Sequence, residues 1–521
     1  MSTGSDDVGE RYDTTGYLCA AAHVDDRFTD RVIREFLTEP TRAVPPAPGV
    51  RAGPVLAEAI AARARRKVRD TLLVVLFCGV LSTLSLSLVI AWVLVGVVAV
   101  AGVGVATGDT RRRLPAIGGG LLAAVALAVL LSSGESWTSY SGLDLTPAAV
   151  IAIVLLVVLL GVLLVDEFVV WRHIEDRFRR GGAVPEPATS DLTPAARRVY
   201  LFGAKHFRTQ LGRHLHERQR LLAPGPDDPV SDAGEVPLPA PVTVFRGDRM
   251  FVGAGEPYGP WSLAIPLRPR RDVDQVCALT AQALYERVDR AMDSLRDAVH
   301  LSPGGRFAGL RVDEQIVVDA AGLADNLGQA EDFVADAAAV PYPLLRGQRV
   351  RELRDRPLEW ARYYLRFQVE TWDRDVVVSV FLHLAVSDTT LYVEWTPCVL
   401  PPVRQRYRAI DTMPNSPLLP VANAVLRFLT LPMTVPARLR TICSVIRPSR
   451  PPARYGVAHS LRELAADTDV RNCFQLADRS RYVKVLESRL TLALTEALAE
   501  AGYEVAGLGT AASRTRAGAV S

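Results

Sequence analysis

The chain has 521 residues, 49% of them hydrophobic, and a formal net charge of +3 at pH 7. That length leaves room for two or more domains, and the near-balance of charge excludes a predominantly nucleic-acid-binding surface. Lys67, Lys205 and Lys484 are the only lysines, so arginine carries nearly all the positive charge, which together with heavy Ala and Val usage matches a high-GC bacterial proteome.

Residues 1–14 are polar and expected to be disordered. From Thr15 to Glu39 the apolar residues Tyr17, Leu18, Ala21, Phe28, Val32, Phe36 and Leu37 fall largely on one helical stripe, and Pro40 ends it. The Pro-rich link 44–49 should be extended, and Pro54 starts a second helix whose basic end, Arg63 to Arg69, runs into the first apolar block. No signal peptide is expected, because the first apolar run begins near residue 71 behind an acidic segment. Residues 15–70 therefore read as N-terminal cytoplasmic helices.

Residues 71–171 hold most of the continuous hydrophobicity, in blocks 71–107, 114–133 and 145–165. A membrane-spanning helix needs ~20 apolar residues. The first block would make a single helix of roughly 54 Å, which is too long for one upright crossing. Basic clusters before residue 71, at Arg111, Arg112 and Arg113, and after residue 171 all lie on the cytoplasmic side if the first block is split near Ser82–Ser87. The expectation is four transmembrane helices, at about 72–87, 88–107, 114–133 and 146–167. Both termini would be cytoplasmic, and the loop carrying Glu135, Trp137 and Tyr140 would be external. The three apolar blocks contain no Asp, Glu, Lys, Arg or His, which weighs against a coupled transporter. Gly96, Gly102, Gly104, Gly118, Gly119 and Gly120 suit close helix packing or a homo-oligomer.

Residues 172–240 read as juxtamembrane helices and a linker. One helix, from about Asp191 to Leu222, is basic on one side through Arg197, Arg198, Lys205 and Arg208, and could contact anionic lipid. Residues 241–505 read as a cytoplasmic α+β domain, with a disordered tail at 506–521. Val242–Phe245 and Met250–Gly253 read as a hairpin, Trp261–Leu267 and Leu310–Asp319 as strands, and Asp272 to about Val299 as an amphipathic helix. The clearest signal is an antiparallel meander of Tyr363–Thr371, Val376–Val386 and Thr389–Pro397. If its turns set the register, Val386 pairs with Thr389 and His383 faces Tyr392. One face is then apolar (Leu365, Phe367, Val369, Leu382, Trp395), and the other carries Arg366, Gln368, Glu370, Ser379, Phe381, His383 and Glu394. Leu418–Val435, interrupted by Pro420 and Pro432, reads as a core helix or one lying on the membrane surface. Val457–Ala466 and Tyr482–Gly502 complete the helices.

Few motifs carry chemistry. Gly253–Gly259 resembles a glycine-rich phosphate loop, but Pro257 and Pro260 prevent the helix that such a site requires, so a plain loop is expected. His206, His214 and His216 are eight and two residues apart, not the three or four that place two ligands on one helix face, and His23 has no evident third ligand. The six cysteines form no C-x-x-C pair and are expected to be buried, reduced thiols. No metal or cofactor site is assigned. The candidates for acid–base chemistry are His383 and Glu394, against the commoner outcome of a hydrogen-bonded, half-buried histidine.

The layout resembles uncharacterised multi-span integral membrane proteins of actinomycete type, a resemblance of organisation and composition that supplies no functional residues. It implies a protein of the cell membrane, with the lipid bilayer as its first partner. The leading expectation is a membrane-anchored interaction or regulatory protein. The alternatives are a membrane-tethered enzyme using the His383/Glu394 face, which needs that face to be open, and a small-solute channel.

Overall fold

The structure is a computed structural model and describes residues 13–39, 41–45, 47–84, 86–106, 147–179, 192–206, 239–271, 276–413, 416–444 and 455–504. In chain order the described helices used below are α1 (Asp13–Val24), α2 (Asp26–Phe36), α3 (Ala52–Thr83), α4 (Leu86–Ala106), α5 (Pro147–Arg177), α6 (Pro194–His206) and α7 (Ala281–Asp293). They continue with α8 (Gln405–Arg408), α9 (Leu418–Leu429), α10 (Leu431–Cys443), α11 (Leu461–Ala465) and α12 (Cys473–Glu500). The chain divides into two compact units. One comprises Met1–Ala59, His206–Arg408 and Arg447–Ser521; the other comprises Ile60–Lys205 and Ala409–Ile446.

The first unit is built on an eight-stranded sheet: β1 (Ala240–Phe245), β2 (Glu256–Pro257), β3 (Trp261–Pro266), β4 (Arg311–Asp319), β5 (Leu344–Leu345), β6 (Ala361–Thr371), β7 (Val376–Val386) and β8 (Thr390–Leu400). The order is β2-β8-β7-β6-β4-β1-β5, with β3 also paired to β8. β1 and β4 are parallel, so the sheet is mixed, while β6, β7 and β8 form an antiparallel meander. The alternation of Leu365, Phe367, Val369, Val378, Val380, Leu382, Val393 and Trp395 buries one face against α7 and α12. α12 brings Leu486, Leu490, Leu494 and Leu498 to that core, the i, i+4 stripe of an amphipathic helix. Its start is fixed by Asn472, whose side chain accepts from the Gln475 N–H.

Several expectations are corrected here. Val242–Phe245 and Met250–Gly253 do not form a hairpin: Val242–Phe245 is paired to β4 on one side, and on the other its end is bridged by Val457, whose N–H donates to the Val244 carbonyl. The β7–β8 register is shifted by two residues, with Val386 opposite Leu391 and His383 opposite Glu394. The cause is the Ser387 hydroxyl, which accepts from the Thr389 and Thr390 N–H groups and draws both residues into the turn. The Thr15–Glu39 stripe is two helices, broken at Asp25, which caps α2 through the Arg27 and Phe28 N–H groups.

The second unit is helical, and it overturns the expectation of four transmembrane helices. Among the described residues one helix, Val150–Arg177, is long and apolar enough to cross a membrane, or two spans exist if the bent pair α9–α10 counts as one. The reason lies in how the apolar blocks are divided. In α3 the first half, with Arg63, Arg65, Arg66, Lys67 and Arg69, is charged, and the apolar half from Thr71 to Thr83 covers only roughly 20 Å at ~1.5 Å per residue. That is short of the ~30 Å hydrocarbon layer. α4 (Leu86–Ala106) has an uncharged sequence, and the part of it whose side chains are described is the apolar helix Leu88–Val100. The expected span 114–133 and its external loop lie outside the described residues. An apolar cluster of Leu73, Phe77, Leu159, Leu163, Ala424 and Leu431 joins α3, α5 and α9–α10. Gly96 of α4 serves this packing, since a Cβ there would stand 2.5 Å from the Leu429 carbonyl oxygen.

Candidate functional site

The polar face of the meander is where the sequence places its candidates. Gln315 of β4 is opposite Tyr364 of β6, and His383 of β7 is opposite Glu394 of β8, which pairs in turn with Ser262 of β3. The Tyr364 ring lies 5.6 Å from that of His383, and its hydroxyl donates to Glu394 Oε1 at 3.3 Å. The structure thus brings His383, Tyr364 and Glu394 into one transverse row.

His383 is only 5% exposed. Its Nδ1 lies 3.0 Å from the Tyr363 carbonyl oxygen, which can only accept, so Nδ1 carries the proton. Burial pushes the imidazole below its ordinary range, against the Tyr363 carbonyl and Glu394, which favour the charged form. Burial, reinforced by Glu394, also pushes the Tyr364 hydroxyl well up. Neither group is tuned toward neutral-pH proton exchange.

The face is also covered. Phe251 stacks on Phe381 with ring centroids 3.8 Å apart, and Phe251 and Ala254 pack onto Val317, Tyr364, Phe381 and Cys398. Several polar groups beneath are paired with one another, while Gln315 Oε1 and Arg366 Nε are buried without a hydrogen bond. Gln315 Nε2 donates to Thr243 Oγ1 at 2.8 Å, Arg366 pairs with Asp313 at 2.7 Å, and Glu370 receives Gln368, Arg374 and Arg311. In this row His383 is buried beneath the loop, whereas Glu394 is half-buried.

The glycine-rich loop does hold an anion, though one supplied by the chain. The N–H groups of Gly253 and Gly255 donate to Glu463 Oε1 at 2.9 and 3.0 Å. The other oxygen of Glu463 accepts from Ser460 N at 2.6 Å, completing a capping box at the start of α11. Both glycines adopt positive φ (98° and 90°), which turns successive N–H groups toward one point, the arrangement of an anion-binding nest. The sequence shows the glycines; it does not show that Glu463, over two hundred residues later, fills the loop.

The N-terminal helices are bound into the same unit by charge. Asp25 accepts from the Tyr407 hydroxyl at 2.6 Å and pairs with Arg406. Burial alone would raise its carboxyl, but Tyr407, the Phe28 N–H and Arg406 outweigh burial and hold it below its ordinary value. Glu35 receives both Arg246 Nη2, at 3.1 Å to each oxygen, and the Ala458 N–H at 2.9 Å. The fully buried Arg462 donates to the carbonyls of Pro48, Arg374 and Asp375, and burial lowers its guanidinium to about 10. The β6–β7 turn it holds has three successive left-handed residues, Trp372, Asp373 and Arg374.

His23 is buried with its Nε2 2.8 Å from Glu58 Oε2. His214, His216 and the side chain of His206 lie outside the described residues. The expectation of buried thiols holds for Cys19 and Cys398, whereas Cys78, Cys277, Cys443 and Cys473 are exposed.

A family model described as AbeC-like domain matches residues 260–520. The match begins one residue before β3, so it takes in β3 to β8 and α9–α10 but neither β1 nor the N-terminal helices. No curated protein and no solved structure matches the chain.

Proposed function

We propose that this chain, which belongs to the AbeC-like domain family, is a membrane-anchored interaction or regulatory protein of the bacterial cell membrane. In this reading the helical unit is the anchor and the sheet unit carries the specific function. One observation supports it above the others: α5 turns large apolar side chains outward along its length, with Val157 65% and Val165 62% exposed and Ile151, Ile153 and Val154 beside them. A contiguous apolar surface of this kind is unfavourable in water and favourable in lipid.

Charge supports an orientation. Arg63, Arg65, Arg66, Lys67 and Arg69 flank the apolar half of α3, while Arg172, Arg177 and Arg179 follow that of α5. Such clusters favour the cytoplasmic side. On α6, Arg197, Arg198, Leu201 and Phe202 are exposed together, a basic and apolar combination suited to anionic headgroups. The buried His383 gives no support to the enzyme alternative.

Fractionation of cells expressing the full chain tests the anchor. The protein should stay in the membrane pellet through alkaline carbonate and high salt and leave it only in detergent. Release by carbonate would overturn the reading.

A further inference from the structure

The described residues of α9 and α10 carry two cations before Arg440, Arg427 and Arg438, in an otherwise apolar sequence, and the two helices meet at 89°. Such a pair is either a broken span, with its ends on opposite sides of a bilayer, or a segment that dips in and returns. The ion pairs of the helical unit distinguish the two.

A layer of charge marks one level of this unit. Arg69 bridges Asp70 of α3 and Asp166 of α5, at 2.9 Å to each, and Arg65 lies 3.2 Å from Asp166. On one side of this level lie the apolar halves of α3 (residues 71–83) and α5 (residues 147–165). On the other side both helices are charged. The path of α9 and α10 can be read against this level contact by contact. Before α9, the Met413 carbonyl accepts from Arg179 at 2.8 Å, well to the charged side. Near the end of α9, Arg427 pairs with Glu167 at 2.6 Å, so α9 runs along α5 toward the apolar half.

The bend then lies beyond the charge. The Phe428 carbonyl accepts from Trp92 Nε1 at 3.2 Å, Gly96 abuts the Leu429 carbonyl, and Leu431 joins Leu73, Phe77, Leu159 and Leu163. α10 retraces the level in the opposite direction. Arg438 pairs with Asp70 at 2.6 Å, and the end of α10 is met by Arg63 and Lys67, which donate to Ser444 Oγ and O at 2.8 and 2.7 Å.

We propose that α9–α10 is a re-entrant element that enters the bilayer from the charged side, turns at Leu429–Leu431 and returns to the side it came from. This rests on the membrane reading above and adds to it the topology of the segment. The tip reaches Leu163 and Leu159, three and seven residues past Asp166 on α5, a depth of roughly 5–10 Å at ~1.5 Å per residue. That is the depth at which interfacial helices settle. Leu418, Val421, Val425, Met433 and Leu439 are exposed on its outer surface, where acyl chains would cover them. Asp70 and Glu167 neutralise the two arginines at the level where they enter.

The test uses the full chain in sealed membrane vesicles of one orientation, with the exposed Cys78, Cys277 and Cys473 changed to serine. One variant keeps Cys443 as its reporter; the other carries Ser416→Cys with Cys443→Ser. A membrane-impermeant maleimide is added before and after permeabilisation. The two reporters should show the same pattern; opposite patterns would make the segment a broken span and overturn the proposal. In a third variant, Thr430→Cys with Cys443→Ser, a bimane label should lose its emission to lipids brominated on the acyl chain, and unchanged emission would also overturn it. Release of the protein by carbonate would instead refute the membrane reading, so the two failures are distinguishable.

Discussion

The sheet unit and the helical unit both bury polar groups and both contain long apolar runs, but they dispose of them in opposite ways. In the sheet unit the apolar residues of the meander turn inward, and Trp395 is fully buried between Trp261 and Phe367. Its polar face is closed by hydrogen bonds between neighbouring strands, as in the pairs of Gln315 with Thr243 and Arg366 with Asp313. In the helical unit the apolar residues of α5 turn outward, while Asp70, Asp166 and Glu167 are buried. Hydrophobicity alone therefore does not say which side of a protein a residue faces. The position of the charges does: along strands they pair sideways, and on the long helices they gather at one level.

The largest expected effects test whether each unit depends on the feature that distinguishes it. Trp395→Ala should destabilise the sheet unit by about 3–5 kcal/mol, because it empties the centre of the core. Denaturant unfolding followed in detergent would show it, and a loss below 1 kcal/mol would mean that this core is not the one holding the unit. Asp166→Asn should destabilise the helical unit by about 3 kcal/mol, since Arg65 and Arg69 would stay buried without their shared partner. The readout is thermal unfolding in detergent, where retained stability would show that water or lipid solvates those arginines. Gly96→Val should cost about 1–3 kcal/mol by forcing α4 away from the Leu429 carbonyl. Its diagnostic is increased maleimide labelling at Cys443, and unchanged labelling would separate Gly96 from the α9–α10 bend.

The same contrast explains what was legible in the sequence. The meander could be read because its alternation is local: β6 and β7 pair as expected, with Thr371 opposite Val376. The two-residue shift of β8 could not, because it depends on how the Ser387 hydroxyl bonds within a turn. His383 and Glu394 were found together, since a shift of two leaves every side chain on its face, but the cover of Phe251 was missed. The parallel pairing of β1 with β4 was also illegible, as no local pattern records a partner some seventy residues away. In the helical unit, hydropathy marked the blocks but not their use. Counting the arginines before residue 71 as free flanking charges contributed to the expectation of four spans, whereas Arg65 and Arg69 are held in ion pairs with Asp70 and Asp166. The proposed path of α9–α10 rests on ion pairs such as Arg438 with Asp70, which no local sequence pattern records.

The smallest effect concerns the N-terminal helices, which charge attaches to the sheet unit. Asp25→Ala removes the cap of α2 and the acceptor of Tyr407, and should cost about 1 kcal/mol at pH 7. Asp25→Asn separates the two roles, because an amide still caps the helix but carries no charge for Arg406. The Asp25 carboxyl is held below its ordinary value in the folded chain, so its charge stabilises the fold above the unfolded value of ~4 and that contribution is lost as pH falls through the folded value. Wild type should therefore exceed Asp25→Asn in stability at pH 7, and the difference should shrink as the pH is lowered through the carboxylate range. Denaturant midpoints of the two proteins at pH 7, 4 and 3 give the comparison. A difference independent of pH would place the stabilisation in the geometry of the cap rather than in the charge.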